Sequence, residues 1–203
     1  LRARFQIVPN VVDTQLFHPV PRIPGPIKRL LTVALLDPSH NKGIPVLLQA
    51  LSQLPRSDWQ LDIVGDGPAR AEYEHMVEDL NLAGKVIFHG IKQKTEVAQF
   101  MQKADVFVLP SLWENLPCVL IEAMASGLPI ISTLTGGIPE IVDDEIGYLV
   151  PPANVQALAE AMTKMLADTQ TWDRYRIAEK AQRYTPASIG RIIDALYRQV
   201  LNA

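Results

Sequence analysis

Residues 110–140 read PSLWENLPCVLIEAMASGLPIISTLTGGIPE. The apolar run at 104–109 that leads into them has the length of a buried strand, and 128–132 has the same character. Between the two, VLIEAMA predicts a helix starting near Leu116, and Gly136-Gly137 predicts a turn into a further helix. Strand, helix and strand in so short a span imply a parallel pair joined by a crossover. In an open sheet of that kind, ligands sit in the crevice beyond the carboxyl ends of the strands, facing helix N-termini whose first N–H groups are unpaired. Two carboxylates frame the helix, Glu114 just before it and Glu122 well inside it. A carboxylate there accepts hydrogen bonds from hydroxyls, while the N–H groups hold anionic oxygens. The segment can therefore grip a ligand that carries both phosphate and sugar.

The same alternation extends in both directions. Upstream, 29–36 (RLLTVALL) is apolar on both faces, as a central parallel strand must be, and the loop DPSHNKG leads to an amphipathic helix at 44–54. Next come a strand at 59–64, the turn Gly65-Asp66-Gly67-Pro68 and a helix to about 82, with Pro68 suited to its first turn. A strand at 85–89 is closed by Gly90, and a helix starts at Thr95-Glu96 and reaches Lys103. Downstream, 147–150 is a short strand, Asn154 caps a helix to 167, and further helices cover 172–183 and 186–201. At the N-terminal end, 5–8 reads as a short strand stopped by Pro9-Asn10, and 13–26 as a Pro-rich linker. The whole is an α/β chain whose order implies right-handed crossovers and a doubly wound parallel sheet.

With 203 residues, 48% of them hydrophobic, the chain has material for one substantial core. A net charge of -3 with no Lys/Arg-rich run argues against nucleic acid as a partner, so any phosphate contact has to be local. The single cysteine, Cys118, excludes an internal disulfide and favours the cytoplasm. No apolar run is long enough to span a membrane, which leaves membrane association of a longer protein open. The sequence starts at Leu1, partway into an expected strand, and so reads as a piece of a longer chain.

Several side chains carry a functional and an ordinary reading side by side. Glu122 has Ile121, Ala123, Met124 and Ala125 as neighbours, which leave little room for a solvated stripe, and a buried carboxylate needs partners. Glu114 alone is unremarkable near a helix start. Lys42, before Gly43 at a helix start, can converge with the helix N–H groups on one anion or be a plain surface lysine. Gly65-Asp66-Gly67 begins like a dinucleotide fingerprint but has Arg70 where the third glycine belongs, which argues against a nicotinamide cofactor. The histidines are scattered, and no spacing suggests a metal site.

Taken in order, IVPNVVDTQLF, KGIPVLLQAL, IVGDGP, VIFHG, ADVFVLPSLWENLPCVLIEAMASGLPIISTLTGGIPEIV and GYLVPP resemble the C-terminal, donor-binding domain of the retaining glycosyltransferases of family four. Their hallmark, two glutamates separated by seven residues, falls on Glu114 and Glu122. The resemblance implies a Rossmann-like domain, the C-terminal half of a GT-B glycosyltransferase. It implies that Glu122 holds the nucleotide ribose, that Glu114 contacts the donor sugar, and that Lys42, beside Gly43, neutralises the diphosphate. Backbone groups of Leu116, Cys118 and Val119 would meet sugar or diphosphate, and the backbone of Ile91 would hold the base. Lys42 and Glu114 are thus the expected catalytic residues, with no cofactor and no metal. Expected partners are a UDP- or GDP-sugar and, through an absent N-terminal domain against which 186–203 would pack, an acceptor glycan or lipid-linked glycan. One departure stands out: Leu35 occupies the place of the family's arginine, so either His40 or Asn41 compensates or the diphosphate is held less tightly. The alternatives are a GT-B relative such as a nucleotide-sugar epimerase or phosphorylase, and a non-catalytic nucleotide-sugar-binding domain.

Overall fold

The computed structural model describes residues 6–21, 25–168 and 172–201. Its frame is a sheet of six parallel strands: β1 (Lys28–Val33), β2 (Trp59–Val64), β3 (Val86–Phe88), β4 (Val106–Leu109), β5 (Ile130–Thr133) and β6 (Gly147–Val150). They lie in the order β3-β2-β1-β4-β5-β6. The chain winds outward from β1 in one direction and then from β4 in the other, so β1 and β4 are neighbours at the point where the order reverses. The doubly wound sheet expected from the alternating pattern is the observed one.

Helices cover both faces. On one side α1 (Ile44–Ser52), α2 (Arg70–Asp79) and α5 (Val155–Ala167) pack on Leu30, Leu61, Ile63, Val106 and Ile131. On the other, α3 (Lys94–Lys103), α4 (Cys118–Ala125) and α6 (Arg174–Lys180) pack on Leu31, Val64, Phe107, Leu109 and Ile130. Every residue of β4 and β5 is buried, the signature of strands with a core on each face. α5 begins at an Asn154 cap whose side chain accepts from the Ala157 N–H at 2.9 Å.

Some expected boundaries move. Gln6–Val8 is irregular, with Ile7 and Val8 exposed and no neighbouring strand among the described residues, while Phe5 lies outside them. The turn after Gly136-Gly137 winds into a single 3-10 turn, Ile138–Glu140. The helix at 172–183 begins at an Asp173 cap and gives way to a 3-10 turn at Ala181–Tyr184. Pro68 stands in the turn before α2, whose first residue is Arg70. The last helix, α7 (Pro186–Leu201), keeps only Ile189 buried and shows solvent a stripe of Ile193, Tyr197, Val200 and Leu201. No helix of the described residues is long and apolar enough to cross a membrane.

Candidate functional site

Two loops leave the carboxyl edge of the sheet at its reversal point, 34–43 after β1 and 110–117 after β4. Between them and the ends of β2 and β3 lies a cleft of about 410 Å3, within the range of small-ligand sites. Its wall includes Lys42, Ile91, Glu114, Cys118 and Val119, all expected from the sequence, together with Leu35, Asp66 and Lys92. Gly43, Leu116 and Glu122 are not part of that wall. Gly43 has φ 68 and approaches the Pro110 carbonyl so closely that a Cβ has no room there. The Leu116 carbonyl accepts from the Asn10 side chain at 2.7 Å, which fastens the N-terminal segment to the loop before α4.

The first loop is fixed from within. The Ser39 hydroxyl and amide both donate to Asp37, and these bonds hold its carboxyl below the usual range. His40 takes the uncommon φ of 54. Its Nδ1 lies 2.9 Å from the Tyr73 hydroxyl and its Nε2 3.6 Å from Glu72. Burial pushes the Tyr73 phenol up to about 12, so it stays protonated as a hydrogen-bonding post under the loop. The Asn41 side-chain amide donates to the Trp113 carbonyl at 2.9 Å, and its backbone carbonyl accepts the Leu112 N–H at 2.7 Å. His40 and Asn41 are therefore committed to protein partners. Leu35 stands 62% exposed on the cleft wall, and neither His40 nor Asn41 is part of that wall.

The second loop is pinned by the strand beside it. Ser132 donates to the Leu109 carbonyl and Thr133 to that of Ser111, each at 2.6 Å, and the Gly137 N–H meets the Asn115 carbonyl at 2.6 Å. Glu114 is held between the loops: Lys42 Nζ lies 2.6 Å and Ser111 Oγ 2.7 Å from its Oε1. No bond to its Oε2 is made by the described residues. Immediately beyond, Cys118 and Val119 supply the first N–H groups of α4, which the helix ladder leaves unused.

Glu122 lies one turn further along α4, on the face shared with Cys118 and Val119. Its side chain is 11% exposed, and the Lys94 ammonium approaches it at 3.6 Å. Burial pushes this carboxyl above its ordinary value, and Lys94 opposes the shift. The folded state then binds the proton more readily than the unfolded chain. That stabilisation is full below the ordinary carboxyl range and is lost as pH rises through the elevated folded value. Glu122→Gln should accordingly melt about 2–4 °C above the parent near neutral pH, and the gap should close toward about pH 4, as thermal scans at both values would show.

Sequence reasoning missed Ser111, Lys92 and Lys94. Ser111 was legible only as a loop residue, and neither lysine belongs to a motif; their roles come from the packing of α3 beside α4 and from Lys92 lining the cleft.

Residues 13–184 match the protein family described as Glycosyl transferases group 1. Over 146 residues the chain is 34% identical to the amylovoran biosynthesis glycosyltransferase AmsK of Erwinia amylovora, covering 68% of this chain and 35% of that protein. Sucrose-phosphate synthase from Thermosynechococcus elongatus superposes with a TM-score of 0.85 at 33% identity, over 97% of this chain and 53% of the other. The chain thus spans about a third to a half of the length of these two relatives. The separately crystallised C-terminal domain of the group 1 protein LpcC from Francisella tularensis superposes with a TM-score of 0.71 at 29% identity. The match covers 86% of this chain and 99% of that domain.

Proposed function

Because the chain belongs to the group 1 glycosyl transferases, with the fold of a GT-B C-terminal domain, we propose that it is the donor-binding half of a retaining, family-four enzyme. The donor is a UDP- or GDP-sugar, the acceptor a glycan or lipid-linked glycan hydroxyl, and the setting polysaccharide assembly in the cytoplasm. The observation that carries this reading is the Lys42–Glu114 pair, which joins the two loops of the reversal-point cleft beside the open N-terminus of α4.

In this reading the diphosphate lies between the Lys42 ammonium and the α4 N–H groups of Cys118 and Val119, of which the helix amides are already in place. Lys42 turns from Glu114 toward the phosphate, and Glu114 accepts hydroxyls of the sugar. Glu122 accepts the ribose hydroxyls, and the Ile91 backbone meets the base. In the reaction the bond from the anomeric carbon to the β-phosphate oxygen breaks, with its electron pair leaving on the phosphate. The acceptor oxygen bonds to the same face of the sugar, and its proton passes to the departing diphosphate. Lys42 and the helix amides stabilise the charge that develops there.

The acceptor is held by an N-terminal domain, which also covers the apolar stripe of α7. The chain by itself binds donor and transfers nothing. Calorimetry of the chain with UDP, GDP and their glucose and mannose conjugates tests this. Binding of at least one nucleoside diphosphate, lost in Glu122→Ala, is expected. Indifference to all of them, or sugar transfer by the chain alone, overturns the corresponding half of the proposal.

A further inference from the structure

The Glu122 carboxylate is nearly enclosed, and among the described residues Lys94 alone approaches it. Lys94 is the first residue of α3, where the Gln93–Glu96 capping box fixes the start of the helix, and its own side chain is 77% exposed. An exposed lysine has no need of a buried glutamate, whereas the glutamate has no other counter-charge among the described residues. α4 carries no second charged residue. From α6, Arg174 donates to the carbonyls of Ala104 and Ser126. From α3, Glu96 faces Lys92 and the Gln93 N–H. In the loop before α4, Glu114 is taken by Lys42 and Ser111.

We propose that Lys94 is a positioning residue of the donor site: by pairing with Glu122 it keeps that carboxylate ionised, as an acceptor for the two ribose hydroxyls of the donor nucleotide. The inference rests on the assignment of Glu122 to the ribose. An ionised carboxylate only accepts, so it can take both hydroxyls at once; a protonated one spends an oxygen on its own proton. Burial favours the protonated form, and the ammonium 3.6 Å away opposes it from the solvent side without filling the cleft. Lys94 thereby sets how far the pH can fall before the ribose contact fails.

The test is calorimetric binding of UDP and GDP, each beside its 2′,3′-dideoxy counterpart, to the parent chain, Lys94→Met, Lys94→Arg and Glu122→Gln between about pH 5.5 and 8. In Lys94→Met the affinity for the ribonucleotide is expected to fall about two- to fivefold below the parent at the acid end and to match it at the alkaline end. Lys94→Arg restores the parental profile. For the dideoxy nucleotides the parent and Lys94→Met curves coincide, which also removes the titration of the phosphates from the comparison. A Lys94→Met loss that is equal for both nucleotides and independent of pH makes Lys94 a general attractor of phosphate and overturns the proposal, as does an unchanged profile. Glu122→Gln reports separately on the premise: if it prefers ribo- over dideoxynucleotides as the parent does, the ribose assignment itself fails.

Discussion

Lys42→Met should weaken nucleoside diphosphate binding by about ten- to a hundredfold, the worth of one charge-assisted contact of about 1.5–3 kcal/mol. The effect is expected to be large because the cleft has so few cations. Lys42 and Lys92 are the ammonium groups on its wall, Lys92 is engaged with Glu96 at 3.5 Å, and the other flank carries the uncharged Leu35. Without Lys42, the Glu114 carboxylate also keeps, among the described residues, only Ser111 as partner and repels the incoming phosphate at short range. Uridine and guanosine, which carry no phosphate, should bind the variant as they bind the parent. Raising the salt concentration should weaken the parent's diphosphate binding more than the variant's. Calorimetry of UDP, GDP and the two nucleosides at two salt concentrations decides it, and a diphosphate affinity within twofold of the parent would refute the assignment.

Gly136→Ala is expected to damage stability and site together. Gly136 has φ 52, and a Cβ built there runs into the Glu114 carbonyl oxygen, a backbone atom with no room to give because Asn41, Ser132, Thr133 and Gly137 hold its loop. The left-handed backbone costs an alanine about 1 kcal/mol, and moving the loop adds more. A loss of about 5–10 °C in melting temperature should therefore accompany loss of nucleotide binding. Gly84→Ala is the control: it has φ 78 with open space around the new methyl, so it isolates the backbone penalty and should leave binding intact. Equal melting losses in the two variants would show that the contact with Glu114 contributes nothing.

The strands were legible because a parallel sheet with a core on each face favours apolar runs, as at 106–109, and the bounds of 59–64 and 147–150 were readable to the residue. Asn154 and the span of α7 were readable for an equally local reason, a cap and an amphipathic stripe. Apolar character without a neighbour misled at Gln6–Val8, where no strand of the described residues stands alongside. At the site, the spacing of Glu114 and Glu122 was visible, but the partners of each were not. Ser111 reaches Glu114 from a loop whose Ser111 carbonyl Thr133 holds, and Lys94 reaches Glu122 from the first residue of α3. The sequence offered His40 and Asn41 as substitutes for a missing charge; their bonds to Tyr73 and Trp113 make them fasteners of the loop.

That fastening has a bearing on engineering. Since 34–43 and 110–117 are tied by Asn41 to Trp113, by Leu112 to Asn41, by Lys42 to Glu114 and by the tight seat of Gly43 on Pro110, neither can be exchanged alone without orphaning half of each tie. A graft meant to reshape the cleft would have to carry both segments as one cassette.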